Sequence, residues 1–201
     1  MIDLAVFAPQ QIFLIQGNKN DFQTFVDDYT KKEVLDMVLD VSRFTVDDAQ
    51  ELVAFNLEEN GTERWCIVYF PIFSPEAAQA LLKTLEEPTG GTHIILMTPY
   101  PYLVPLTIRS RVALLNADTA STTAITMTKQ DAEELVKNIL ADDDIPAADR
   151  RAHAATMLDT FEAMAKGNRV KATAIYKAKE LLFKANLPSK QVAEYAISVM
   201  W

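Results

Sequence analysis

Five short apolar runs recur through the first half of the chain, at Ile12–Gln16, Val34–Leu39, Trp65–Phe70, His93–Thr98 and Val112–Leu115. Segments with a helical period separate them, and this alternation predicts a parallel sheet covered by helices. Thr45 is placed to cap a helix whose first turn holds Asp47 and Asp48, where the helix dipole favours negative charge. Ala49, Leu52, Val53 and Leu57 supply its apolar stripe, and Asn60-Gly61 marks a turn. The next helix is the best specified. Ser74 caps it, Pro75 suits its first position, and Pro88 with Gly90-Gly91 stops it. Its core face is Ala78, Leu81, Leu82 and Leu85, which leaves Gln79, Lys83 and Glu86 for solvent or a neighbour.

The pattern then changes. A stretch rich in Ala, Thr and Ser reads as a linker over 119–127, and everything beyond it has a helical period. Helices are predicted over Lys129–Leu140, Ala147–Ala165, Arg169–Ala185 and Ser189–Met200, broken by Asp142–Pro146, Gly167 and Pro188. The expected layout is an α/β domain over 1–118, the linker, and an all-α domain over 128–201.

Composition narrows the function classes. With 201 residues, 49 % of them hydrophobic, the chain can bury a sizeable core. Its single cysteine, Cys66, offers neither a disulfide framework nor a structural zinc site. His93 and His153 stand apart from other ligand types, and Asp142–Asp144 reads as a solvated loop, so no metal is expected. Asp3 near the start and the lack of any apolar span of about 20 residues argue against a signal peptide or membrane helix. The expectation is a cytoplasmic protein.

Net charge is −9 and unevenly placed. Residues 1–118 hold 8 Lys/Arg against 17 Asp/Glu, which argues against strong DNA binding by this chain alone. Lys166 to Lys190 carries seven cations against Glu180 alone. This basic stretch reads first as a solvated helix face, with a phosphate or partner contact as the alternative.

The segment Glu76 to Pro88, EAAQALLKTLEEP, resembles the corresponding helix of bacterial clamp-loader AAA+ subunits, above all DNA polymerase III delta-prime and its gamma/tau relatives. Thr98 to Val112, TPYPYLVPLTIRSRV, keeps that family's spacing from the sensor-1 position to its Ser-Arg-Cys motif. The similarity covers about Thr45 to Leu115, and the chain looks like a truncated, degenerate member that lacks the family's Cys-rich zinc module. The resemblance implies an AAA+-like five-stranded parallel sheet of order 5-1-4-3-2, followed by a small all-α domain akin to the collar.

The family's ATP chemistry is expected to be missing. A P-loop needs glycines for close backbone approach, a lysine for phosphate charge and a hydroxyl for Mg²⁺. In that frame Gly17 and Thr24 stand where the first glycine and the hydroxyl belong, but Phe22 replaces the second glycine and Gln23 the lysine. Tyr69 and Phe70 occupy the Walker B place, where a carboxylate should hold Mg²⁺. Thr98 is a sensor-1-like remnant. Ser110-Arg111 with Arg109 matches the trans arginine finger of the family, and Arg111 is its candidate finger. Its plain alternative is a surface arginine paired with an acid.

These residues predict a non-catalytic clamp-loader subunit with no cofactor and no small-molecule substrate, working through clamp-loader ATPase subunits. The sliding clamp is a further candidate partner, and DNA is expected only within an assembly. The competing readings are an AAA+-derived binding module or regulator outside the clamp loader, and a residual nucleotide-binding protein.

Overall fold

The computed structural model describes residues 12–201 apart from Glu33, 59–61, 88–89, 117–126, Asp144 and Asn186. Asp3, the Asn60-Gly61 turn, Pro88 and all but the last residue of the expected linker lie outside them. The chain forms two compact units, Met1–Ala124 and Ile125–Trp201.

In the first unit, strands β1 (Ile12–Gln16), β2 (Leu35–Asp40), β4 (Arg64–Tyr69), β6 (Thr92–Thr98) and β7 (Ala113–Asn116) form one sheet of order β2-β4-β6-β1-β7. All its pairings are parallel. Numbered along the chain, these five strands have the order 5-1-4-3-2 that the resemblance implies. Two further strands were not legible in the apolar runs. β3 (Arg43–Phe44) and β5 (Ile72–Phe73) pair with each other as a separate two-residue ribbon.

Period two divides the sheet's side chains between two cores. Ile12 and Leu14 of β1, Cys66 and Val68 of β4, and Ile94 and Leu96 of β6 face one side. There they meet Ala49 and Leu52 of α2 (Val46–Leu57), and Ala78, Leu81 and Leu85 of α3 (Pro75–Glu86). Phe13, Ile15, Ile67, Tyr69, Ile95 and Met97 face the other, against Phe22, Phe25 and Tyr29 of α1 (Lys19–Thr30). With both faces covered, the central strands have to be apolar throughout, which is why they read as unbroken runs.

Helix ends follow the caps. Thr45 and Asp48 form a reciprocal capping box at the start of α2, and Ser74 accepts from the Ala77 N–H at the start of α3. The far end of α2 is held by a residue from the next strand. Arg64 donates to the carbonyls of Phe55 and Glu58 at 2.9 and 2.8 Å and to the Glu58 carboxylate at 2.9 Å. Its guanidinium also lies 3.9 Å from the Phe55 ring centre. A buried cation thus answers the orphan carbonyls of a helix C-terminus. Arg64→Met keeps the stem but removes every donor, and should lower stability by about 2–3 kcal/mol in urea unfolding. An unchanged midpoint would show that these bonds add nothing beyond solvation.

The second unit holds α5 (Lys129–Leu135), α6 (Ala147–Met164), α7 (Arg169–Phe183) and α8 (Ser189–Met200), and no strand among its described residues. Thr128 and Asp131 cap α5 reciprocally. The helix predicted to run on to Leu140 instead widens into a π-turn over Val136–Leu140, closed by Ala141 N–H donating to the Val136 carbonyl at 2.9 Å. The wider turn keeps Val136, Ile139 and Leu140 all buried. α6 ends at Met164 with Ala165 as its C-cap, and Gly167, at φ 91°, takes the left-handed turn that leads to α7. Asn168 then caps α7 by accepting from the Lys171 N–H at 3.1 Å.

Candidate functional site

In a parallel sheet of this order, ligands sit at the carboxyl ends of the strands beside the central one, where connections leave in opposite directions. That place is the β1–α1 turn. It consists of Gly17 and Asn18 alone, since α1 begins at Lys19. Asn18 Oδ1 accepts from the N–H groups of Asn20 and Asp21 at 2.7 and 3.2 Å. The Asp21 carboxylate in turn accepts from the Asn18 N–H at 2.7 Å. The amides that a phosphate would use are therefore taken by the helix's own capping box.

This early start moves the P-loop frame. Gln23 and Thr24 lie in the second turn of α1, both exposed, with the Gln23 amide donating to Asp27 at 3.0 Å. They are helix-surface residues, beyond the turn rather than part of it. Gly17 stays small for a different reason than phosphate approach. Its N–H donates to the Thr98 carbonyl at 3.0 Å, and a Cβ there would lie 3.0 Å from Met97 Sδ.

Aromatic side chains occupy the rest of the strand ends. Phe22 is 2 % exposed, with its ring 5.3 Å from that of Tyr69. Tyr69 ends β4 on the α1 side, and burial followed by the nearby Tyr100, Asp40 and Asp21 pushes its phenol pKa up. Lys19 lies 5.4 Å from the Phe22 ring centre and 5.0 Å from that of Tyr69, and pairs with Asp40. The one cation at the turn is thus committed to two rings and a carboxylate. Phe70 points the other way, its ring 5.4 Å from Phe44 and 5.3 Å from Phe73. Thr98 is buried at the end of β6, where its hydroxyl accepts from the Tyr100 N–H at 3.2 Å.

The arginines lie elsewhere. Ser110 and Arg111 follow the short helix α4 (Leu106–Arg109) and precede β7. Because β7 runs parallel to β1 with Ala113 opposite Phe13, Arg111 is at the amino end of the sheet. The Gly17-Asn18 turn is at the carboxyl end, beyond the full length of β1. Arg111 donates from Nε and Nη2 to Glu86 Oε1 of α3 at 2.9 and 2.6 Å. Its Nη1 reaches the Thr107 carbonyl at 2.8 Å and Ser110 Oγ at 3.4 Å. The side chain remains 34 % exposed. Arg109 is half-buried. Glu86 was expected to face solvent or a neighbour, and nothing in local sequence marks Arg111, 25 residues on, as that neighbour.

Other chemistry finds little footing. Cys66 is fully buried in β4 and burial pushes its thiol pKa up, so no thiolate is on offer. No group of three His, Cys, Asp or Glu is arranged for a metal, and no helix is long and apolar enough to cross a membrane, among the described residues.

Residues 11–121, more than half of the chain, match the family model described as "DNA polymerase III, delta subunit". The chain belongs to this family. Membership places it among proteins of the replication clamp loader. Among solved structures, a DNA polymerase III gamma subunit-related protein from Thermotoga maritima is 15 % identical, with 98 % of this chain and 96 % of that one covered at a TM-score of 0.45. Thermotoga maritima RuvB is 11 % identical, with 94 % and 61 % covered at 0.36. Likeness at that level adds nothing to the family assignment. No curated protein matches the chain.

Proposed function

We propose that the chain is a delta-prime-type clamp-loader subunit that contributes no ATPase site of its own and acts through contacts with ATPase subunits. The observation that carries this reading is the two-residue β1–α1 turn, whose amides and cation are spent on intramolecular partners. A triphosphate there would have to break the Asn18–Asp21 box, displace Phe22 from Tyr69 and meet Asp21 with like charge. No carboxylate stands at the end of β4 to hold Mg²⁺. Calorimetry with Mg-ATP should therefore show no binding at protein concentrations of about 100 μM, against the micromolar constants usual for substrates. Micromolar affinity that disappears when Asn18 and Asp21 are replaced would overturn the proposal and restore the nucleotide-binding reading.

Under the same reading, Arg111 is offered to a nucleotide held by a neighbouring subunit. Its place at the amino end of the sheet, away from the chain's own β1–α1 turn, supports a recipient on a neighbouring subunit. A second reading has its own support. The Glu86 ion pair satisfies Arg111 within the chain, as expected of a module that keeps the fold but serves as a scaffold or regulator. Co-purification with clamp-loader ATPase subunits favours the first reading, and absence of any such complex favours the second.

A further inference from the structure

A guanidinium carries N–H donors on Nε, Nη1 and Nη2, and the contacts of Arg111 sort them into two edges. Nη1 donates to the Thr107 carbonyl at 2.8 Å and to Ser110 Oγ at 3.4 Å, both in the turn just before it. Nε and Nη2 form the parallel pair that fits the oxygens of a carboxylate or phosphate. Both donate to Glu86 Oε1, at 2.9 and 2.6 Å. The fork best shaped for a phosphate is thus the fork that Glu86 covers.

Glu86 does nothing comparable for its own helix. It is the last residue of α3, where the dipole disfavours negative charge and the unsatisfied backbone groups are carbonyls that a carboxylate cannot cap. Its side chain is 51 % exposed and returns readily to water, while the Thr107 and Ser110 bonds keep the guanidinium at its corner. The pair also cancels charge. A phosphate approaching Arg111 meets a neutral pair in place of a cation, and is repelled by the Glu86 carboxylate beside it.

We propose that Glu86 is a latch on Arg111. It holds the phosphate-fitting edge of the guanidinium within the chain, and that edge turns to a nucleotide on a neighbouring subunit only when Glu86 lets go. The proposal rests on the reading of Arg111 as a trans finger and adds a regulator to it. Glu86 is a positioning residue, since it acts through Arg111 and touches no nucleotide. An ion pair this exposed is weak, so the latch is a brake of a few fold and not a block. The nucleotide is held by the neighbouring subunit, so release of the latch falls on turnover and not on nucleotide binding.

The test is the steady-state ATPase of the full chain reconstituted with clamp-loader ATPase subunits, compared for the parent, Glu86→Gln, Arg111→Ala and the double variant. Glu86→Gln keeps the length of the side chain and removes its charge. It should raise kcat about two- to fivefold with KM unchanged. In the Arg111→Ala background the same change should raise nothing, because there is no guanidinium to release. In the chain alone, Glu86→Gln should speed solvent exchange of the Arg111 Nε–H while circular dichroism stays the same. A kcat that is unchanged or lowered in Glu86→Gln, with Arg111→Ala still lowering the rate, overturns the latch and leaves the finger. A rise that persists without Arg111 overturns it as well, since the effect does not then run through the guanidinium. If no complex forms, or Arg111→Ala leaves the rate as it was, the finger reading itself falls and takes the latch with it.

Discussion

Phe22→Ala is expected to destabilise the first unit by about 3–5 kcal/mol, the largest stability loss predicted for any residue near the β1–α1 turn. Phe22 is 2 % exposed, belongs to the core between α1 and the sheet, and meets the Tyr69 ring. Its removal leaves a void bounded by a capped helix on one side and a hydrogen-bonded sheet on the other, neither of which can collapse inward. The Lys19 ammonium would also lose one of its two rings. Gln23→Ala, one residue on but exposed, should change stability by no more than about 0.5 kcal/mol. Urea unfolding followed by Trp65 fluorescence gives both values. If Phe22→Ala costs no more than Gln23→Ala, the ring is not a core element and the site is looser than its contacts imply. A restored nucleotide site is not expected in Phe22→Ala, because Asn18 and Asp21 would still hold the amides.

Arg111→Ala should leave the chain folded and assembled with clamp-loader ATPase subunits while cutting their ATPase rate at least about tenfold, since arginine fingers supply about 10³–10⁵-fold in GTPases. Rate and assembly separate for a physical reason. A trans arginine acts where charge develops in the transition state, whereas assembly draws on the whole interface. The ion pair with Glu86 sets the background for this measurement. With the two side chains 34 % and 51 % exposed, its loss costs at most about 1 kcal/mol, too little to unfold the unit. Glu86→Gln provides the matching control, as it removes the pair but leaves the guanidinium. An unchanged ATPase rate in Arg111→Ala within an intact complex would sink the finger and leave the scaffold reading.

Legibility of the sequence followed burial and capping. The central strands β1, β4 and β6 were readable because strands covered on both faces must be almost wholly apolar, whereas edge strand β2 alternates half-buried and exposed positions; the strand ends differ from the expected ones by a residue or so. α8 begins and ends as predicted, since Pro188 and the chain's apolar period bracket it. Thr45 and Ser74 were readable because a cap needs a side-chain oxygen at one defined place. The β3–β5 ribbon was not, because two-residue strands carry no periodicity. The π-turn at Val136–Leu140 was hidden for a similar reason, as one extra residue per turn leaves the apolar spacing almost unchanged. At the candidate site, family spacing put Gly17 to Thr24 in the frame of a P-loop. Asn18 with Asp21 instead spells a capping box that starts α1 at Lys19, so Gln23 and Thr24 lie within the helix. Glu86 and Arg64 were missed because their partners are distant in sequence or are backbone carbonyls.

The central position of β1 also governs how the chain can fold. β1 is the first strand among the described residues, yet its two neighbours are β6 and β7, roughly 80 and 100 residues later. No hairpin can shelter it in the meantime. Ile12, Phe13, Leu14 and Ile15, all buried in the finished sheet, have no strand partner until most of the first unit has been synthesised. Loop closure over such separations makes this pairing slow relative to the local helices. The first unit should therefore pass through an early state with α2 and α3 formed around β4 while the β1 segment is still a sticky apolar tail. During synthesis that tail is a natural target for chaperones, and in refolding at high protein concentration it is where aggregation would begin.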